Sequence, residues 1–101
     1  MTLKQSYKEF TAMLQLLYTV CTGITPKGIQ ETVLHGVLFS LYKKYYSKAI
    51  KVKKKYTITA EPAEACAFYM FFSKYRMTDY DTFTINMVVQ LNNKIHQKFA
   101  V

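Results

Sequence analysis

The sequence predicts an all-α protein built as one compact four-helix bundle. Three observations lead to this fold class: apolar residues recur at helical spacing along most of the chain, helix-capping residues separate the periodic stretches, and one stretch is apolar on every side. The chain has 101 residues, of which 50% are hydrophobic. That is the size of one domain, with enough apolar side chains for a core. We therefore expect a single helical domain over residues 1–101.

The first helix is predicted over residues 3–22. Gly23 follows directly, and glycine commonly supplies the left-handed conformation that ends a helix. The apolar side chains recur at alternating steps of four and three residues, which places them on one helical face: Leu3, Tyr7, Phe10, Leu14, Leu17 and Cys21.

The second helix is predicted over residues 26–50, and the short link before it predicts an antiparallel hairpin with the first helix. Thr25 is a hydroxyl cap, and Pro26 suits the first helical position. Gly36 predicts a close crossing with a neighbouring helix, because glycine lets another backbone approach. The apolar face comprises Val33, Leu34, Val37, Leu38, Leu41 and Tyr45.

Residues 51–58 leave two interpretations open. Apolar and polar residues alternate from Ile50 to Ile58, and period two with β-branched residues is typical of an extended segment. A strand needs a partner, and no second convincing strand is evident, so an extended segment would pair with something outside the chain. The alternative is a helix that continues to about Lys54. We favour a helix to about Ile50, followed by an extended linker.

The third helix, over residues 60–76, is predicted to be the central one. Eight consecutive residues, Ala65–Phe72, are apolar or aromatic, so this helix has to be covered on every side. The stretch is too short to span a bilayer, which takes about 20 apolar residues. Acids precede it and bases follow it, as the helix dipole favours: Glu61, Glu64, Lys74 and Arg76.

The last helix is predicted over residues 79–99. Thr78 is a hydroxyl cap with Asp81 three residues on, a recognisable helix start. One stripe of this helix is apolar: Ile85, Val88, Leu91, Ile95 and Phe99.

No catalytic motif is evident in the sequence. Glycine-rich phosphate loops, zinc-ligand spacings and nucleophile motifs do not occur, so we expect no enzyme, no cofactor, no metal and no small-molecule substrate. His35 is explained by pairing with Glu31 one helical turn earlier. Cys21 and Cys66 lie in apolar runs and are expected to be buried free thiols of a reducing compartment.

The strongest functional signal is the segment from Tyr42 to Tyr56, which holds seven lysines and no acid in a chain of net charge +8. Lysine binds a phosphate backbone without reading bases, and tyrosine can stack on an unpaired base. Four of the lysines line one face if the segment is helical, and three if it is extended. The candidate nucleic-acid or anion-binding residues are Lys43, Lys44, Lys48, Lys51, Lys53, Lys54, Lys55, Tyr46 and Tyr56.

A plainer interpretation of the segment is a solvated, lysine-rich helix end that complements the helix dipole. The chain has a single arginine, the residue preferred for phosphate contacts, and lysine enrichment is also what an AT-rich genome produces. The sequence therefore supports an anion-binding surface and a solvated helix end about equally.

The leading functional hypothesis is a non-enzymatic helical binding module or assembly subunit. It docks on protein through aromatic surface and binds an anionic partner, with non-specific nucleic acid first and an acidic protein second. One alternative is a helix-turn-helix DNA-binding regulator that uses residues 19–34. The other is a structural subunit of a phage or mobile-element complex with no role in nucleic-acid binding.

The composition also predicts a partner and a compartment. Aromatic residues make up 16% of the chain, more than a small domain buries easily, so a protein partner or a homo-oligomer is expected. The polar start of the chain predicts no signal peptide, and no membrane-spanning stretch is evident. We therefore expect a cytoplasmic protein that does not contact a membrane.

Overall fold

The computed structural model describes residues 1–100, and this part of the chain forms four helices and two strands in one compact unit. The mostly helical fold is confirmed, but a two-stranded antiparallel sheet accompanies the helices. In chain order the elements are β1 (Thr2–Ser6), α1 (Tyr7–Gly23), α2 (Gly28–Lys48), β2 (Lys55–Thr59), α3 (Pro62–Phe72) and α4 (Thr82–Phe99).

The sheet corrects the predictions for the start of the chain and for residues 51–58. The chain does contain a second strand, because residues 2–6 are extended and the first helix begins at Tyr7 rather than at residue 3. β2 therefore has its partner inside the chain, with Leu3 opposite Ile58 and Gln5 opposite Tyr56. The extended segment predicted over 51–58 is a strand only from Lys55 onwards, since residues 49–54 form a turn, a bend and a short irregular stretch.

Alternation explains why both strands form. Side chains of a strand point alternately to opposite faces, and each strand has two buried positions between three exposed ones. Leu3, Gln5, Tyr56 and Ile58 face the helices, while the outer face of the sheet is polar. Ser6 then ends β1 and caps α1: its backbone N–H donates to Glu9 Oε1 at 2.9 Å, and its Oγ accepts from the Glu9 N–H at 3.2 Å.

The glycines behave differently from the predictions. Gly23 is still helical, and the residue in the left-handed region is Gly28, with φ of 81°, at the start of α2. That helix therefore begins two residues after Pro26, and Thr25 does not cap it, since the N-cap is Lys27 with no side-chain bond. A Cβ at Gly36 would meet nothing within 4 Å, so the expected close helix crossing is wrong.

Only the second half of α2 enters the core. Leu38, Leu41 and Tyr45 are buried, whereas Ile29 is 87% exposed and Val33 is exposed as well. The apolar face predicted for this helix is thus confirmed from Leu38 onwards and only half covered before it.

The third helix is shorter and more exposed than predicted. It ends at Phe72 instead of residue 76, and Met70 is 43% exposed, so the helix is not enclosed on every side. The fourth helix starts at the cap Asp81, whose carboxylate accepts from the Thr84 N–H at 2.8 Å, rather than at Thr78. Its predicted stripe is buried at Val88, Leu91 and Ile95.

Candidate functional site

Two of the predicted anion-binding lysines cover the edge of the sheet. Lys48 Nζ donates to the carbonyl oxygen of Thr57 at 2.7 Å, and Lys44 Nζ donates to that of Thr59 at 3.0 Å. Four residues of helix rise about 6 Å and two residues of strand about 6.6 Å, so lysines one turn apart match alternate carbonyls of a neighbouring strand. An open strand edge invites pairing with other chains, and lysine is a common residue for blocking it.

The register shows why these carbonyls are free to accept. Met1 and Ala60 exchange both backbone hydrogen bonds, at 2.9 and 2.8 Å. In an antiparallel ladder such pairs alternate, so the next bonded pairs are Leu3 with Ile58 and Gln5 with Tyr56. The carbonyls of Thr57 and Thr59 therefore point away from β1 and towards α2.

Lys44 is also held by a buried carboxylate. Its Nζ lies 2.6 Å from Oε1 of Glu64, which is 3% exposed, and this is the one salt bridge within residues 1–100. Ser40 Oγ donates to Glu64 Oε2 at 2.7 Å, and the Glu61 N–H donates to Oε1 at 2.8 Å. Burial would raise the pKa of Glu64, but these hydrogen bonds outweigh it and hold that pKa below its usual value.

Tyr56 lies in the core, so it is removed from the predicted binding surface. It is 4% exposed, and its ring stacks on Phe10 with centroids 3.7 Å apart and planes inclined by 7°. The Tyr56 hydroxyl donates to the Lys51 carbonyl at 3.0 Å and accepts from the Lys53 N–H at 2.9 Å. Period two explains this placement, because Tyr56 and Ile58 share the inner face of β2.

Four predicted lysines remain free on one short stretch. Lys51, Lys53, Lys54 and Lys55, here called the connection lysines, are exposed in the link from α2 to β2 and at its first strand residue. No salt bridge involves any of them within residues 1–100. The sequence from Thr32 to Ala60 contains no aspartate or glutamate, so no acidic residue near in sequence balances the positive charge of these lysines.

Lys4 joins this basic surface, and the sequence prediction missed it. It lies opposite Thr57 on the outer face of the sheet, diagonal to Lys55, which lies opposite Ser6. Diagonal neighbours on an antiparallel pair are about 7–8 Å apart, close enough to act on one polyanion. The signal that could have revealed Lys4 is the alternation of Thr2–Ser6, which was assigned to a helix instead.

Another side of α2 carries a row of aromatic rings. Phe39, Tyr42 and Tyr46 follow one another at steps of three and four residues, with ring centroids 5.9 and 6.0 Å apart. Tyr18 of α1 extends the row, 6.2 Å from Tyr42. We call these four residues the aromatic row. Lys43 belongs to this side as well, because its Nζ lies 4.9 Å from the centre of the Phe39 ring.

An apolar groove lies between α2 and α3. Its volume is about 450 Å³, and its floor and walls are formed by Ile24, Leu34, Tyr69, Met70, Phe71 and Tyr75. Glu31 and Lys74 contribute charged groups to its lining. The groove adjoins the first half of α2, where the apolar side chains of Ile29 and Val33 are exposed. The expectation of a protein partner or homo-oligomer stays a prediction.

The remaining reactive side chains form no site. Within residues 1–100, no three His, Cys, Asp or Glu side chains group closely enough to hold a metal ion. Cys21 and Cys66 are free thiols, half-buried rather than fully buried, and burial raises the pKa of Cys21 to about 11, which keeps it protonated. The predicted pairing of His35 with Glu31 is wrong, since His35 Nε2 has no hydrogen-bond partner.

Comparisons with protein-family models, with curated proteins and with solved structures found no match to this chain. Among the helices formed by residues 1–100, none is long and apolar enough to cross a membrane.

Proposed function

We propose that this protein is a non-enzymatic binding module that contacts the phosphate backbone of nucleic acid through the connection lysines and Lys4, without sequence specificity. The observation that carries the proposal is the exposure of Lys51, Lys53, Lys54 and Lys55 with no carboxylate paired to them. Such a cluster raises the local concentration of a polyanion and gains affinity by releasing its counterions.

The proposed phosphate contacts involve fewer lysines of the segment from Tyr42 to Tyr56 than the sequence predicts. Lys44 and Lys48 already donate to β2 and Glu64, so their charges serve the fold. The connection lysines contribute no such bond from their side chains, and the backbone beneath them is held by the Tyr56 hydroxyl. A firmly held loop that presents free ammonium groups suits a backbone-binding role.

The expected lack of sequence preference follows from the residue type. Lysine meets a phosphate as a point charge, whereas bidentate contacts to bases depend mainly on arginine, asparagine and glutamine. The connection lysines are accompanied by Ile50 and Val52, neither of which can read a base edge by hydrogen bonding.

The helix-turn-helix alternative has less support. In that arrangement an apolar residue early in the second helix packs against the first helix, yet Ile29 is almost fully exposed. The second helix is also 21 residues long, and its exposed start has Lys27 as the N-cap and Glu31 in the first turn. An acid at that position opposes binding to a phosphate backbone.

The proposal can be tested by fluorescence anisotropy with labelled 20-nucleotide single strands of two unrelated sequences and a 20-base-pair duplex. Wild type should bind both strands with similar affinity at about 0.1 M salt. Changing the four connection lysines together to glutamine should lower the affinity about tenfold or more, because four phosphate contacts are lost.

A matched control separates the site from bulk charge. Changing Lys27, Lys74, Lys94 and Lys98 to glutamine removes the same net charge from exposed positions elsewhere. This control should keep most of the affinity. Equal losses of affinity in the two quadruple variants would mean that net charge alone causes the binding. If wild type did not bind, the proposal would be rejected. The remaining readings, a dock for an acidic protein or a structural subunit, would then be tested by pull-down of the same variants.

A further inference from the structure

The aromatic row is a surface feature that folding does not explain. Tyr46 is 62% exposed and Tyr18 is 50% exposed, and neither belongs to the core cluster or to the side chains packed against it. Phe39 is exposed as well, and only Tyr42 at the centre of the row is half-buried. Four neighbouring aromatic rings on a surface are an apolar patch that usually meets a partner.

The charges around the row favour an anionic partner. Lys43 lies on the same side of α2, between Phe39 one turn before it and Tyr46 three residues after it. Helix α2 ends at Lys48, and Lys51 is the first of the connection lysines in the link that follows. Lys43 thus lies within the row, and the first connection lysine follows the last ring of the row by five residues.

The hydroxyl of Tyr42 does not oppose an anion. Burial, together with the neighbouring hydroxyls of Tyr46 and Tyr18, raises the pKa of Tyr42 above its usual value of 10.0. The Tyr42 hydroxyl is therefore neutral at physiological pH and remains a hydrogen-bond donor.

We propose that the aromatic row is a stacking platform for unpaired bases, so that the preferred ligand is single-stranded nucleic acid whose backbone runs over Lys43 and the connection lysines. The inference rests on the proposed function and narrows it from nucleic acid in general to single strands. Aromatic rings beside a basic track are the arrangement that binds single strands, because every base has a π-face and stacking tolerates any sequence.

Duplex DNA fits the row less well. Its bases are stacked on each other and offer only groove edges, so exposed rings gain little from it. A protein partner for the row would need carboxylates near Lys43, and removing the π-faces of the row would then leave nucleic-acid binding unaltered. The platform therefore predicts a preference for single strands that depends on the rings themselves.

The test compares a 20-nucleotide oligo-dT strand with a 20-base-pair duplex in the anisotropy assay. Wild type should bind oligo-dT more tightly than the duplex. Changing Tyr18 and Tyr46 together to leucine keeps apolar bulk but removes the π-faces, and should weaken oligo-dT binding about tenfold. Duplex binding should change less than twofold.

The matched control changes the same two tyrosines to phenylalanine, which keeps both rings and should keep oligo-dT affinity. Circular dichroism should be unaltered in both double variants, since the two side chains are largely exposed. Duplex and oligo-dT binding of equal strength, unaffected by the leucine changes, would overturn the stacking platform and leave the proposed function intact. No binding of wild type to either ligand would overturn both.

Discussion

The ammonium group of Lys44 lies 2.6 Å from the carboxylate of Glu64, so one lysine of the basic segment joins α2 to α3. The same ammonium group donates to the Thr59 carbonyl at 3.0 Å, which ties in the end of β2. Three elements thus meet at one side chain. The lysine-rich segment therefore contains two kinds of lysine, those that hold the fold and those that are free to bind.

Replacing Lys44 by methionine should lower the free energy of unfolding by about 2–3 kcal/mol, because it leaves the Glu64 carboxylate buried without its cation. This expected loss of stability is smaller than for a fully buried salt bridge because the Lys44 side chain is 35% exposed. Urea denaturation measures it. Lys43→Met is the control, since Lys43 has no carboxylate partner, and it should stay within about 0.5 kcal/mol of wild type. Equal effects of the two substitutions would contradict the assignment.

The low pKa of Glu64 predicts how stability depends on pH. A carboxyl whose pKa is lower in the folded than in the unfolded protein stabilises the fold above its usual pKa of 4.5, and this contribution is lost as the pH falls through the folded value. The stability advantage of wild type over Glu64→Gln should therefore shrink between pH 7 and pH 3. Asp81, whose pKa is also lowered, is common to both proteins and cancels in the difference. A constant difference across that range would be inconsistent with this account.

Two tyrosines of the same segment should behave in opposite ways. Tyr56→Ala should cost about 3–5 kcal/mol of stability, because it removes a buried ring stacked on Phe10. Tyr46→Ala should cost less than about 1 kcal/mol, because its ring is mostly exposed. Thermal unfolding of both variants decides the matter. A stable Tyr56→Ala protein would mean that this side chain is not part of the core.

Helices α1 and α4 were predictable because each has a long periodic pattern and one buried face. The stripe of Val88, Leu91 and Ile95 in α4 is confirmed, as is the buried face of α1 at Phe10 and Leu17. Their ends shifted by a few residues, since caps such as Ser6 and Asp81 compete with equally plausible neighbours.

The first strand was missed for a physical reason. Leu3 stands four residues before Tyr7, so it fits the helical period as well as the strand period. The inner face of β1 also contains Gln5, a polar residue that a sequence pattern places outside. It is buried because the Tyr45 hydroxyl donates to its Oε1 at 2.8 Å, a contact made across forty residues of chain.

The division among the lysines was equally hidden from the sequence. Lys44 and Lys48 lie in α2 opposite the outward carbonyls of Thr59 and Thr57, whereas Lys51 and Lys53 lie beyond the end of that helix. Those carbonyls point towards α2 because of the register in which β2 pairs with β1. The burial of Tyr56, by contrast, could have been predicted from the sequence, because Tyr56 and Ile58 alternate with Thr57 and so share the inner face of β2.

The salt dependence of oligonucleotide binding measures how many phosphates the connection lysines neutralise. For a single strand, log K falls with log salt concentration by about 0.7 for each phosphate neutralised. We expect a steep slope for wild type and a slope flatter by up to about 3 when the four connection lysines become glutamine. Changing Lys27, Lys74, Lys94 and Lys98 to glutamine should alter the slope little. A wild-type slope near zero, or the same flattening in both quadruple variants, would contradict these expectations.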